Sequence, residues 1–203
     1  MNLESALKYH QMGFSVIPIR PNKRPFLTTW AEYQKKKPTE DSIKKWWGTW
    51  PNANPGIVTG AISGLMVVDV DSEQGHDELN KLLPDSLITP TSRTPSGGWH
   101  YYFAYQNGLP NKARIMKDCD IRTDGGYIIA PPSQNEKGKY AWIEGLSISE
   151  VSPAAMPKLL YKQMHSSTRG EAPSSVPKCP QVSSTFLERV QGMKPFFTLP
   201  TAL

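Results

Sequence analysis

The stretch Gly64-Leu-Met-Val-Val-Asp-Val-Asp71 limits what this chain can fold into more than any other. Its short, β-branched, apolar run reads as a buried strand. In an extended chain, residues two apart point to the same face. Asp69 and Asp71 therefore continue the row begun by Leu65 and Val67. Two carboxylates at the end of a buried row repel each other and lose hydration. A fold built on this strand has to place positive charge between them or lead them to water.

The segments around the strand read as a mixture of helices and strands. Residues 2–13 have helical spacing and end at Gly13, and "FSVIPIR" follows as a strand whose Pro18 suggests a sheet edge or a strand end. Thr39 is an N-cap candidate for a helix that begins with acidic residues and runs into "WWGTW". "PNANPGIVTG" is a loop holding a short strand, and "HDELNKLL" (His76 to Leu83) a short helix closed by Pro84. Trp99–Tyr105 is an aromatic strand. "CDIRTDGGYIIAPPS" reads as a hairpin turning at Asp124-Gly125-Gly126, and "YAWIEG" as one more strand. A closing helix begins at Pro157. From about Ser166 the chain is rich in Ser and Pro, as in a flexible linker, with "TFLERVQGM" as a small helix beyond it. The expected organisation is one domain over 1–165 and a linker and tail over 166–203, leading to further domains in a longer protein.

At 203 residues, 38% hydrophobic and 20% charged, the chain has enough material for a real core. It has no apolar run of the length a membrane-spanning helix needs and no signal-peptide pattern, so the expectation is a cytoplasmic protein with no membrane partner. Cys119 and Cys179 indicate neither a disulfide framework nor a four-ligand zinc site. The formal charge of +5 permits a nucleic-acid partner. Lys23-Arg24, Lys35-Lys36-Lys37 and Lys44-Lys45 are interleaved with Trp30, Tyr33, Trp46, Trp47 and Trp50. That pattern suits phosphate gripping and base stacking, and equally a core of aromatics behind a solvated lysine face.

Three constellations bear on chemistry. Asp69 and Asp71 suit a hard divalent cation, or else a solvated strand end with an Asx turn into Ser72-Glu73. In Ser96-Gly97-Gly98-Trp99-His100 the paired glycines let backbone N–H groups meet an anion and His100 donate to a phosphate oxygen, or else form an ordinary turn beside a half-buried histidine. Asp120 and Arg122 share a strand face, as a third ligand and a phosphate-binding or carboxylate-holding cation, or else as a surface pair beside a hairpin.

Taken together and in this order, the motifs resemble those of the bifunctional primase–polymerase (prim-pol) domain of the archaeo-eukaryotic primase superfamily, found in replication proteins of phages, plasmids and other mobile elements. The matching residues run from Leu3 to about Leu160 and include "ALKYHQMGFSVIPI", Lys23, Pro25, Trp30, "GIVTG", "GLMVVDVDSEQG", "TPSGGWHYYF", "DIRTDGGYIIAPPS" and Tyr140. The family's second motif is S-x-H; here Ser96 stands four residues before His100, across a glycine-rich stretch. The resemblance implies an α+β fold with two lobes, an RRM-like catalytic sheet packed with an N-terminal α/β lobe. It implies metal ligands at Asp69, Asp71 and Asp120, for two Mg²⁺ or Mn²⁺ ions and no zinc. It further implies nucleotide contacts from His100, Ser96 and the Gly97-Gly98 backbone, with Arg122, Lys23 and Ser133 as helpers. The implied activity is template-directed nucleotidyl transfer, as DNA polymerase, primase or both. Its partners would be single-stranded DNA template and primer, an NTP or dNTP, and a helicase domain C-terminal to it in the full-length chain. Two other readings follow from the same residues. One is a phosphatase of the haloacid dehalogenase type, which also opens with an apolar strand and D-x-D, although Glu73 stands where a Thr or Val is usual. The other is a non-catalytic module that binds single-stranded nucleic acid.

Overall fold

In the computed structural model, which describes residues 2–169, the apolar row becomes the centre of a six-stranded antiparallel sheet. The elements in chain order are α1 (Asn2–Gln11), β1 (Ser15–Ile19), a 3₁₀ turn (Ala31–Gln34), α2 (Glu40–Thr49), β2 (Asn54–Val58), β3 (Leu65–Val70), α3 (Glu73–Asn80), β4 (Thr91–Arg93), β5 (Trp99–Ala104), β6 (Lys112–Met116), β7 (Cys119–Arg122), β8 (Tyr127–Ile129), β9 (Gln134–Asn135), β10 (Gly138–Lys139), β11 (Ala141–Trp142) and α4 (Lys158–Arg169). The large sheet has the order β11-β4-β5-β3-β7-β6, and a smaller antiparallel sheet the order β1-β2-β8. β9 and β10 form a short ribbon. This is the expected mixed α+β class.

The two faces of β3 bury against different partners. Met66, Val68 and Val70 pack with Leu79 and Leu82 from α3 and its exit, and with Leu160 and Met164 from α4. Leu65 and Val67 point the other way and join Tyr9 of α1, Ile43 and Trp47 of α2, and Ile57 and Ile128 of the small sheet. All five of these apolar β3 residues are fully buried. The row that ends in Asp69 and Asp71 thus lies on the face that packs against α1, α2 and the small sheet.

Several tryptophans serve packing. Trp47 is buried and donates its indole N–H to the Ala53 carbonyl at 3.0 Å, while Trp46 and Trp50 lie against the same cluster. Thr39 caps α2 by accepting from the Ser42 N–H, as its position suggested. β1 takes the expected sheet edge, tolerating Pro18.

Three local expectations are corrected. The helix placed at His76 opens three residues earlier, at Glu73, because Ser72 accepts the Gly75 N–H and caps it. β7 and β8 are not a hairpin: β7 pairs with β3 and β6, whereas β8 pairs with β2 in the other sheet. Asp124-Gly125-Gly126 is instead the crossover between sheets, pinned by Thr59 Oγ1 donating to the Thr123 carbonyl and Thr123 Oγ1 donating to that of Leu109. The strand read from "YAWIEG" shrinks to Ala141–Trp142, paired with β4. The linker and small helix expected beyond residue 169 lie outside the described residues. No helix among the described residues is long and apolar enough to cross a membrane.

Candidate active site

Strand register assembles the site. Across three neighbouring strands, His100 of β5 pairs with Asp69 of β3, and Asp69 pairs with Asp120 of β7. The three side chains form a row on one face of the sheet. Asp71 follows Asp69 on that face, and its backbone N–H donates to the Asp118 carbonyl at 2.9 Å, so the turn between β6 and β7 holds it in place. That turn is in turn tied to α3 by Ser72 Oγ, which donates to Asp118 Oδ2 at 2.7 Å.

Asp69 and Asp120 are like charges directly opposite each other, an arrangement that costs stability unless compensated. The compensation is visible. Arg122 Nη2 lies 2.6 Å from Asp120 Oδ2 and 4.0 Å from Asp69 Oδ2. His100 Nε2 lies 3.2 Å from Asp69 Oδ1, and the Arg114 N–H donates to Asp120 Oδ1 at 2.7 Å. Arg114 reaches Asp120 from an irregular stretch of β6, where its backbone has a left-handed φ of +53°. Burial works to raise the Asp69 pKa, but His100, then Arg122 and Lys23, outweigh it and hold the carboxyl below its ordinary value.

Asp71 is treated differently. It is exposed, and its carboxylate makes no direct hydrogen bond or ion pair with any described residue. Its pKa is raised, first by partial burial and then by the charges of Asp69 and Asp120, with Lys23 and His100 only partly offsetting them. The row therefore ends short of positive charge.

A cleft of about 280 Å³ opens over this end of the row. It brings Asp69, Asp71, His100, Ser96, Arg122 and Lys23 to one space, together with Tyr140, Tyr127, Asn111 and Thr94. Lys23 arrives by a conformation that a side chain rarely adopts, with φ +69°. Its N–H donates to the Arg20 carbonyl at 3.0 Å, and its own carbonyl accepts from the Tyr127 hydroxyl at 2.9 Å. Tyr127 is backed edge-on by Trp30. His100 is buried, with Tyr140 5.7 Å away ring to ring, and its Nδ1 has no hydrogen-bond partner among the described residues. Burial and the nearby Asp69 and Asp71 charges push the Tyr140 hydroxyl up to about 12.

Other expected site residues stand apart from the cleft. Asp120 reaches it through Arg122 rather than by lining it. The Gly97 N–H donates to the Thr94 carbonyl and the Gly98 N–H to Thr94 Oγ1, both at 3.0 Å, so neither is aimed at an anion here. Gly98 is needed for a different reason: a Cβ there would collide with the Val70 carbonyl. The two glycines close a turn that seats Ser96 on the cleft wall. Ser133 is buried and donates to the Ala130 carbonyl, away from the cleft. Thr94 and Asn111 were missed from the sequence, since isolated polar loop residues carry no pattern. The Tyr127 contact with Lys23 joins residues 104 apart.

Among the described residues, no three His, Cys, Asp or Glu side chains converge closely enough to hold a metal ion together, and Arg122, His100 and the Arg114 N–H engage oxygens of Asp69 and Asp120. The donor chemistry nonetheless suits a hard divalent cation: carboxylate oxygens alone, one of them open to the cleft and repelled by the others. A family model described as the N-terminal domain of bifunctional DNA primase/polymerase matches residues 6–159. Comparison with curated proteins found no match.

Proposed function

Because the chain belongs to the bifunctional DNA primase/polymerase family, we propose that it transfers nucleotides onto a strand under template direction, with Asp69, Asp71 and Asp120 holding two Mg²⁺ or Mn²⁺ ions. Family membership implies primase/polymerase chemistry on nucleic acid and nucleotides. The observation that carries the reading to these residues is the carboxylate row emerging into a cleft rimmed by Lys23 and Arg122.

Bound ions of this kind lower the pKa of an attacking hydroxyl and neutralise charge on the phosphates. The remaining work falls to the protein. Lys23 and Arg122 supply cations for the triphosphate, Arg122 with a planar fork suited to phosphate oxygens. Ser96 lines the same wall and offers a hydroxyl. His100, gripped by Asp69, presents an imidazole fixed in orientation by its burial. Asp69 stays ionised across the neutral range because its pKa is lowered. Single-stranded DNA template, a primer, an NTP or dNTP, and a helicase domain beyond this one complete the reading, in the replication of a phage, plasmid or other mobile element.

The test is incorporation of labelled nucleotides on single-stranded DNA of defined sequence, with and without primer, in Mg²⁺ and in Mn²⁺. Incorporation of the complementary nucleotide alone is expected. A second reading, a non-catalytic module for single-stranded nucleic acid, draws on the engaged oxygens of Asp120. Tight template binding with no incorporation under any of these conditions would favour it.

A further inference from the structure

We propose that Arg122 is the internal counter-cation of the acid row: in the nucleotide-free protein it occupies the place a divalent ion takes, and it passes to the triphosphate when ion and nucleotide enter together. The inference rests on the nucleotidyl-transfer reading and deepens it.

Register forces Asp69 and Asp120 into direct opposition, and the Arg122 guanidinium is the group that bridges them, at 4.0 and 2.6 Å. The remaining oxygens are engaged as well, Asp69 Oδ1 by His100 and Asp120 Oδ1 by the Arg114 N–H. Asp69 and Asp120 are therefore satisfied as an arginine site, and a divalent ion entering alone meets a positive charge already in place. Arg122 is not locked there. Its side chain is 29% exposed and lines the cleft beside Lys23. The same planar fork that binds carboxylate binds phosphate, so an incoming triphosphate gives the guanidinium a second partner of equal geometry.

Charge makes the exchange cooperative. Three carboxylates face Arg122 and Lys23, leaving about one negative charge uncompensated; a divalent ion added with Arg122 in place overshoots to positive. A triphosphate arriving with the ion removes that excess and draws Arg122 away from Asp120. By linkage, the nucleotide then tightens ion binding by the same factor as the ion tightens nucleotide binding. If Arg122 were only a brace that keeps Asp120 in place, its loss would weaken ion binding instead. The two roles differ in sign.

The test measures Mn²⁺ affinity of the nucleotide-free protein by electron paramagnetic resonance of free Mn²⁺, for wild type, Arg122→Gln and Arg122→Lys. Binding of an α,β-imido deoxynucleoside triphosphate at saturating Mn²⁺ is measured alongside. Arg122→Gln is expected to bind Mn²⁺ alone about five-fold or more tightly than wild type, and the nucleotide more weakly by a comparable factor. Arg122→Lys, which keeps the charge and loses the fork, is expected to bind Mn²⁺ alone about as wild type does and the nucleotide more weakly. If the Gln variant does not fold, Arg122→Met, which also removes the charge, takes its place. Mn²⁺ affinity in the charge-removing variant equal to or below wild type overturns the counter-cation role while leaving nucleotidyl transfer standing. Absence of Mn²⁺ binding by every protein, with and without nucleotide, overturns both.

Discussion

Replacing Asp71 by Asn is expected to stabilise the metal-free protein while removing its response to metal. The raised Asp71 pKa, caused by partial burial and then by Asp69 and Asp120, fixes the sign. A carboxyl whose folded pKa lies above its unfolded value of about 3.9 favours folding when protonated. That contribution is present below the unfolded pKa and is lost as pH rises through the folded one. At pH 7 the ionised side chain is therefore a burden, and a neutral isostere relieves it. Residues two apart on a strand stand about 6.7 Å apart. Unit charges at that distance repel by about 0.6 kcal/mol in water and about 2.5 kcal/mol at an effective dielectric of 20. Asp71 is exposed, so the lower figure governs, with further screening by salt. Asp120 adds a similar amount and Lys23 subtracts one, leaving a gain of about 0.5–1 kcal/mol, or a rise in Tm of about 1–3 °C for a domain of this size. Thermal melts by circular dichroism in chelator at low ionic strength measure it, and the gain should shrink as the pH is taken down into the carboxylate range. Adding Mn²⁺ at 100 times its Kd should then stabilise wild type by about 2.7 kcal/mol and the variant by far less. An Asp71→Asn variant that melts at or below wild type in chelator refutes the reasoning, because the protein alone would then already compensate this carboxylate.

Other outcomes follow from the same geometry. Lys23→Gly should relieve the left-handed backbone and raise stability in urea by up to about 1 kcal/mol, yet weaken nucleotide binding. Tyr127→Phe removes only the hydroxyl that holds the Lys23 carbonyl, and should raise the KM for nucleotide several-fold with kcat little changed in primer extension. Gly98→Ala drives a methyl into the Val70 carbonyl and should cost about 1–3 kcal/mol in chemical denaturation. His76, stacked on Trp99 at 4.0 Å, has its pKa lowered by burial, with Arg93 adding to the effect and Glu73 and Asp77 opposing it. Its neutral form is the one the fold prefers, so stability present above the unfolded pKa of about 6.5 should be lost as pH falls below it and through the lowered folded pKa. The Tm of His76→Gln should vary less over pH 5–7.5.

Which residues share a strand face was more legible in the sequence than which strands pair. A period-2 row ending in carboxylates states which residues share a face, and β3 keeps that face, with Leu65 and Val67 in the core and Asp69 and Asp71 at the cleft. Periodicity carries no information about partners, however. The Asp124-Gly125-Gly126 turn chemistry suggested a hairpin, but Ile128 is claimed by the N-terminal core, which takes β8 to the other sheet. β6 was missed because an edge strand with an irregular register and the residues "KARIM" has no apolar alternation. On local grounds the Gly97-Gly98 pair suits an anion cradle or an ordinary turn; the turn forms, and the non-local approach of Val70 explains Gly98. Arg122 was placed on the correct face beside Asp120, but its reach to Asp69 depends on the pairing of β3 with β7.

The central claim is that the β3 carboxylates carry nucleotidyl transfer. Its most direct test is single-turnover extension of a labelled primer on a single-stranded template, comparing wild type with Asp69→Asn and Asp71→Asn at matched template occupancy and confirmed folding. Loss of extension by about a hundred-fold or more in each variant, with template binding retained, is the expected result. Extension within a few-fold of wild type in either variant would contradict it.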